Sequence, residues 1–440
     1  MMALILFGLF FLLVMLRLPI AVALAISSIA VLFTGSGMFG LELVADIMYS
    51  SVSKFTLLAI PFFILAGVIM EHAGISKRLI DFAQALVGHR KSGIVFVTVM
   101  TAIFFAAISG SGPATVAAIG GILIPAMVKN GYKKETAGGL IASSGAIGII
   151  IPPSIAFIVF AVVAGDQIPV SIGRLFIAGI IPGLLLGGAF ILAAMYVRWK
   201  QERKEGPIQG IVHNKKATGK ERVKAFVDAL WGLLIPVIIL GGIYGGYFTP
   251  TEAAVVAVFY GLFVGFVIYR ELNLKKLYDI LVAASVQTAT VMFIVSAASV
   301  YAYIITTEQI ARQISDAMLS ISENPIIILL LVNVLLLIAG MFIDAISAYY
   351  IFVPILLPIM LLLNVDPTVF GVFMTVNLAI GLFTPPVGLN LFVAAGISGT
   401  SIGRLSIGVL PFIVASLIIL MLITFIPQIS TFLPDLLNVK

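Results

Sequence analysis

The stretch GIIIPPS, residues 148–154, returns 233 residues further on as GLFTPPV, residues 381–387. A proline lacks the N–H that would continue a helix, and its ring clashes with the preceding turn, so each double proline marks an interruption in an otherwise helical run. The repetition extends outward from these two points. At the same spacing Pro125 meets Pro358 and Ser111 meets Asp344. Pro19 faces Pro250 and Ser51 faces Ser285 with drifts of one or two residues, and SIGRL at Ser171 recurs at Ser401. Two halves, residues 1–197 and 228–440, therefore follow one plan, joined by a basic connector at 198–227.

With 61% hydrophobic residues, 10% charged residues and a mean hydropathy of +1.22, the chain carries too little polar surface to coat a water-soluble globule. It reads as an integral membrane protein. The apolar runs approach the roughly 20 residues of a bilayer crossing and keep a helical rather than an alternating period, which predicts an all-α polytopic fold. The net charge of +6 sits in short loops, where it acts as a topology signal, and no basic-aromatic patch suggests nucleic acid. The absence of cysteine excludes disulfides, thiolate metal sites and cysteine nucleophiles. The first sixteen residues lack the charged leader and cleavage site of a signal peptide and read as a retained span.

The connector holds nine Lys or Arg between Arg198 and Lys224, which assigns it to the cytoplasm. Alternation from there puts Arg17, Lys77, Arg78, Arg90, Lys91, Lys129, Lys133, Lys134, Arg270, Lys275, Lys276 and Arg404 on the same side. It leaves Lys54, Arg174, Arg312 and Lys440 outside, with both termini outside as well. Equivalent loops of the two halves carry opposite charge: KNGYKKE after Pro125 becomes LNVDPT after Pro358, and the loop at 72–91 becomes the loop at 306–325. Opposite charge implies opposite orientation, so the halves are expected to be inverted-topology repeats, the architecture of a secondary transporter with a midplane site.

Each half is predicted to hold two spans meeting at a proline (4–16 and 20–33; 230–247 and 251–269), an interfacial amphipathic arm (38–53; 271–284) and a third span (55–70; 286–303). A helical hairpin follows (93–128; 325–361), turning at SGSGP, residues 109–113, and near GMFIDA, residues 340–345. Basic residues at both ends of the first hairpin require it to leave and return to one face, so it is re-entrant, with two thin full crossings as the alternative. A broken helix (136–164; 367–395) and a closing span complete each half.

Irregular backbone at membrane depth is tolerated only where protein or a polar cavity receives it, because each unpaired group costs several kcal/mol. The two hairpin tips and two proline breaks are four such places. Freed carbonyls and hydroxyls there suit Na⁺, and half-helix N-termini suit a carboxylate. One cation site is expected between Ser109, Gly110 and Gly112 of the first tip and Ser144, Gly145 and Gly148 of the first break. Its counterpart lies between Gly340, Phe342 and Asp344 and the second break at Thr384 and Gly388. The substrate anion is expected near Ser111, Pro153, Pro386 and Asn390. The competing reading is that the small residues only permit close helix packing.

An acid well inside the hydrophobic core, as Asp344 is, reads as a cation ligand or proton carrier, or else as a water-exposed turn. Glu252 in TPTE reads as the closing residue of a capping box, and Asp166 and Gln167 as loop polars. His72, His89 and His213 neighbour charges in cytoplasmic loops and read as solvated.

Five stretches, PFFILAGVIMEHAGI (61–75), FFAAISGSGPATVAAIGGILIP (104–125), GIIIPPSI (148–155), GYFTPTEAAVVAV (246–258) and FTPPVGLNLFVAAGI (383–397), resemble the large membrane subunit of the tripartite ATP-independent periplasmic (TRAP) transporters along essentially the whole chain. The resemblance implies an elevator-type transporter in a bacterial inner membrane, with periplasmic termini, related in plan to the divalent-anion/sodium symporters. It would import an organic acid with Na⁺, taking it from a periplasmic binding protein and working with a separate small four-span membrane subunit. The motifs look most like those of sialic acid permeases, and C4-dicarboxylate members share them. The implied Na⁺ sites fall on the tip and break residues named above, with Asp344 where internal symmetry calls for a hydroxyl. A symporter that needs no binding protein is the nearest alternative. An intramembrane enzyme using Ser109 or Ser111 as nucleophile lacks a base, since no histidine lies within a predicted span.

Overall fold

A chain this apolar has no water at membrane depth to satisfy its amides, and pairing them within helices is the available solution. The computed structural model describes residues 2–90, 92–206, 216–322 and 324–439, and every element assigned there is helical. Lys91, Lys440 and the connector residues 207–215, with His213, lie outside the described residues.

The first half runs α1 (Met2–Met15), α2 (Ile20–Val52), a 3-10 turn (Phe55–Leu58), α3 (Ala59–His72), α4 (Ile75–Val87), α5 (Gly93–Ser109), α6 (Gly112–Lys129), α7 (Lys134–Ala146), α8 (Ile155–Ala164) and α9 (Ile172–Glu205). The second runs α10 (Gly219–Tyr244), α11 (Pro250–Phe263, extended by a π turn Val264–Ile268), α12 (Leu274–Thr307), α13 (Ile310–Ile321), α14 (Pro325–Phe342), α15 (Ala345–Leu362), α16 (Pro367–Gly381), α17 (Leu389–Ser398), α18 (Ile402–Phe425) and α19 (Gln428–Leu436). Among the described residues, nine helices are long and apolar enough to cross a membrane. The chain is a multi-pass membrane protein.

Turn and cap chemistry sets the ends. Thr249 and Glu252 form a capping box at the start of α11, the Glu252 carboxylate accepting from the Thr249 amide at 2.8 Å, and Thr218 with Glu221 does the same for α10. Ser171 accepts from the Arg174 amide at the start of α9. The hairpin helices part at Gly110 and Ser111 in one half and at Ile343 and Asp344 in the other, while the two double prolines, each with a cis bond, separate α7 from α8 and α16 from α17.

Several expectations need correction. Residues 72–91 and 306–325 are not plain loops: most of each forms an amphipathic helix, α4 or α13. Ile75, Leu79, Ile80 and Ala83 fall on one face of α4 and are buried, a 3.6-residue period that the neighbouring charges obscured. The arm and third span of the second half are a single helix, α12. In the first half it is the second span and the arm that join, as α2, with a bend at Gly37 where φ is +60°. The connector is helical at both described ends, because α9 extends to Glu205 and α10 begins at Gly219. The terminal α19 was not anticipated.

Two groups of helices pack within themselves. In one, α2 lies on α12, α3 on α11 and α1 on α2; in the other, α7 lies on α18, α6 on α7, α14 on α16 and α17 on α6. At the end of the molecule away from the connector, Lys54 donates to both oxygens of Asp166 at 2.7 and 3.0 Å, and Arg174 reaches Asp435 at 2.9 Å and Asp366 at 3.7 Å. Two of the basic residues that the charge rule leaves outside are thus held by acids.

The second group depends on bare backbone contacts. A Cβ at Gly381 would collide with the Gly340 carbonyl, and one at Gly408 with the Glu135 carbonyl, whereas Gly403 faces open space. Replacing Gly381 or Gly408 by alanine is expected to cost about 1–3 kcal/mol and lower the melting temperature in detergent, with Gly403→Ala near neutral. Equal melting temperatures for all three would refute this packing.

Candidate functional site

All four interruptions converge on one cavity of about 720 Å³. The first tip lines it from Ser109 to Ala114, the second from Asp344 to Ile346, the first break through Ile149 and Ile155, and the second through Leu382 and Leu389. The remaining wall comes from the other helix group. Ile64, Gly67, Val68 and Glu71 recur at helical spacing along one face of α3, and Gln287 and Thr290 project from α12.

At the first tip the backbone turns through Gly110, whose φ of +60° is left-handed and whose missing Cβ would sit 2.7 Å from the Pro153 carbonyl oxygen. Tip and break therefore touch. Gly148 likewise approaches the tip, its Cβ position being 2.6 Å from Ser111 O and 2.7 Å from Thr115 Oγ1. The Thr115 hydroxyl donates to Ser111 O at 2.7 Å and lies 3.0 Å from Ser109 Oγ, while Ser144 Oγ is buried with no hydrogen-bond partner. This gathering of hydroxyl and carbonyl oxygens fits a hard monovalent cation such as Na⁺. Of the residues expected there, Ser109, Gly110 and Gly148 are in the cluster. Gly112 and Gly145 lie beside it, with Gly145 packed on Val116 and the Gly112 carbonyl.

The second tip is built differently. Asp344 caps α15, Oδ2 accepting from the Ile346 and Ser347 amides at 3.0 and 3.2 Å and Oδ1 from the Ser347 hydroxyl at 2.6 Å. Gly340 lies against Gly381, and Thr384 Oγ1 donates to Ile380 O at 2.6 Å. Phe342 turns its ring away from the cavity, into an apolar groove with Phe7, Phe10 and Phe352. Gly388, with φ +58°, starts α17.

Of the four residues expected around the anion, Ser111 lines the cavity. Pro153 is buried against Gly110, and Pro386 is exposed away from it. Asn390 is buried between tip and break: its Nδ2 donates to Ala142 O at 2.9 Å and its Oδ1 has no partner, 3.1 Å from where a Gly112 Cβ would be. That contact brings together the starts of α6 and α17, neither of which has a side-chain cap; the Asn390 amide is taken by Leu382 O and the Leu391 amide by Gly388 O, so it is the positive ends of the two helix dipoles, more than free amides, that supply positive potential at the cavity wall. Among the described residues no Lys or Arg lines the cavity, and the charged or titratable side chains that do are Glu71, His72 and Asp344.

Sequence reasoning passed over Thr115, Glu71 and Asn377. His72 is exposed, as expected, and it also closes α3 and borders the cavity, with Nδ1 2.9 Å from Val68 O. Asn377 stands where the repeat spacing puts Ser144, and it too is buried with an unpartnered oxygen, its Nδ2 donating to Asn333 Oδ1. The spacing itself was the signal that could have found it. Thr115 lies one turn past Ser111, so helical periodicity could have found that residue.

Compared with known proteins, the chain matches over residues 7–429 the family model described as "Tripartite ATP-independent periplasmic transporter, DctM component". It is 44% identical to the isethionate TRAP transporter permease protein DctMQ of Oleidesulfovibrio alaskensis, over 97% of this chain and 66% of that one. It is 39% identical to the C4-dicarboxylate TRAP transporter large permease protein DctM of Rhodobacter capsulatus, over 99% of both. Against the sialic acid TRAP transporter permease protein SiaT of Haemophilus influenzae the identity is 38%, over 88% of this chain and 61% of that one. These relatives are named as permeases, not enzymes. Among solved structures, the YdaH transporter of Alcanivorax borkumensis shares the fold with a TM-score of 0.60 at 14% identity, covering 88% of each chain.

If the first-tip cluster holds a cation, Thr115→Val, which keeps the shape and removes the hydroxyl, is expected to weaken Na⁺-induced thermal stabilisation at least tenfold in apparent affinity. Thr290→Val on the opposite wall should leave it unchanged, and an unaltered Na⁺ response in Thr115→Val would exclude this cluster.

Proposed function

The chain belongs to the family of the DctM component of the tripartite ATP-independent periplasmic transporters, and from that premise we propose that it imports an organic acid across the bacterial inner membrane together with Na⁺. The observation that carries this reading is the cavity: both tips and both breaks meet there, two uncapped helix starts face it, and its wall bears carboxylates but no Lys or Arg. An anion entering such a space needs its charge offset, and the positive ends of the α6 and α17 dipoles offset only part of it. Bound cations supply the rest. Ser109, Thr115, the Ser111 carbonyl and Ser144 would hold one Na⁺; Asp344, Thr384 and the backbone around Gly340 and Gly388 would hold another. Sodium supplies both the counter-charge and the driving force.

The arithmetic favours more than one ion. A potential of 100 mV is worth about 2.3 kcal/mol per charge, and a tenfold Na⁺ gradient adds about 1.4 kcal/mol per ion. Two Na⁺ with a monovalent anion give about 5 kcal/mol, enough for a several-thousand-fold concentration ratio; one Na⁺ gives about tenfold. In the proposed elevator cycle, Na⁺ closes the tips around the acid. The helices carrying tips and breaks then move as a block against α1–α3 and α10–α12, and the acid is delivered by a periplasmic binding protein, with a small membrane subunit as partner. The relatives are named for a sulfonate, C4-dicarboxylates and sialic acid, so their common denominator is an anionic group on a small organic body. Sialic acid is the substrate suggested by the motifs, and C4-dicarboxylates are the alternative.

In liposomes holding the chain with its partner subunit, uptake of the transported acid should require the binding protein and fall to background without external Na⁺. Accumulation independent of Na⁺ would refute the coupling, and undiminished uptake without binding protein would favour a self-sufficient symporter. Because the sequence has no cysteine, single cysteines at Asn130 and Asn364 report cleanly on topology. They should label from opposite faces, and labelling from one face would refute the inverted arrangement.

A further inference from the structure

Glu71 is the one carboxylate on the part of the cavity wall that carries neither tip nor break. It lies one turn beyond Gly67 on the same face of α3, and a Cβ on Gly67 would be 3.4 Å from Ser109 Cα, so this face of α3 rests directly on the first hairpin tip. Asp344, the other acid on the wall, is engaged by two amides and a hydroxyl, whereas the Glu71 carboxylate accepts no hydrogen bond among the described residues and has only the electrostatic attraction of the adjoining His72. Its helix packs chiefly on α11 and α12. A carried anion therefore meets Glu71 only while the tips occupy the position seen here. The residue sits at the end of α3 that leads to Lys77 and Arg78, the end assigned to the cytoplasm by the charge rule.

We propose that Glu71 is a release-side determinant: in this conformation its negative charge lowers the affinity of the cavity for the organic anion, so that the acid leaves on the cytoplasmic side once Na⁺ has gone. Like charges a few ångströms apart in a partly desolvated cavity repel strongly enough to shift affinity on the order of tenfold. The inference rests on the transport reading above and adds to it the step at which unloading is driven. Ground-state repulsion on one side only raises the dissociation rate there without weakening capture on the other, because differential interaction between two states is what shifts a two-state cycle.

The test uses full-length protein with its partner subunit and binding protein in liposomes, and as probe whichever of radiolabelled isethionate, succinate or N-acetylneuraminate the wild type carries. Glu71→Gln should lower the half-saturating internal concentration for counterflow about tenfold and slow Na⁺-driven net uptake several-fold. Glu71→Asp, which keeps the charge, should behave as wild type, and half-saturation by Na⁺ should stay within twofold in both. An unchanged or raised internal half-saturation in Glu71→Gln overturns the inference. So does an equal shift in Glu71→Asp, which would mean a structural role, or a marked loss of Na⁺ affinity, which would mean a cation ligand. A wild type that carries none of the three probes overturns the transport reading and this inference together; a Na⁺-driven wild type with an unaltered Glu71→Gln overturns this inference alone.

Discussion

A peptide group at hydrocarbon depth that is not paired inside a helix must find its partner elsewhere in the protein, and this structure is organised around meeting that demand at four places. The Ser111 carbonyl takes the Thr115 hydroxyl, the Ile149 carbonyl takes the Ser154 hydroxyl at 2.5 Å, the Ile380 carbonyl takes the Thr384 hydroxyl, and the Leu382 carbonyl takes the Asn390 amide at 2.8 Å. At Ser111 and Ile380 the hydroxyl adds to a backbone donor, the Thr115 and Phe383 amides, whereas at Ile149 and Leu382 the Ser154 hydroxyl and the Asn390 amide come from across the break. Glycines at 110, 148 and 381 then let a second backbone approach, so that the breaks rest on the tips and stay out of lipid.

The same economy concentrates oxygen atoms in a small volume. The buried oxygens of Ser144, Asn377 and Asn390 have no hydrogen-bond partner and keep their lone pairs free. Such a site is electronegative before any ligand arrives, and the cavity beside it adds two carboxylates without a balancing Lys or Arg. Cation and anion are then interdependent, because each lowers the electrostatic cost of holding the other. The starts of α6 and α17 border the same cavity, so the positive ends of their dipoles lie close to it.

Around this centre the two helix groups meet through contacts of unlike character. α3 touches the first tip through Gly67, a smooth surface with no side chain to interlock, and Phe342 meets Phe7 and Phe10 of α1 across an apolar groove. Apolar and glycine surfaces have no directional bonds to break when they slide. At one end of the molecule Lys54 and Asp166 add an exposed ion pair, worth at most about 1 kcal/mol. Elsewhere the groups meet over a broad surface, since α12 also packs along α15.

Much of this was legible in the chain. Hydropathy and helical period are properties of a few consecutive residues, so the spans between Leu4 and Phe33 and the helices flanking each double proline were found within a few positions. Tip residues such as Ser109, Gly110 and Asp344 announced themselves by chemistry that breaks a helix. The amphipathic α4 and α13 were read as loops because charge density outweighed period, and α12 was divided because a polar stretch inside a long helix looks like an end.

The sequence by itself determined where helices start, stop and break, and that the order of elements repeats, because proline, glycine and capping residues act on their immediate neighbours. Only the tertiary structure decided that Glu71 faces the cavity while Pro386 does not, that Thr115 joins Ser109, and that Phe342 turns to α1. The direction in which a side chain points depends on how one helix is rotated against another, and that rotation is set by packing partners hundreds of residues away, beyond the reach of local chemistry.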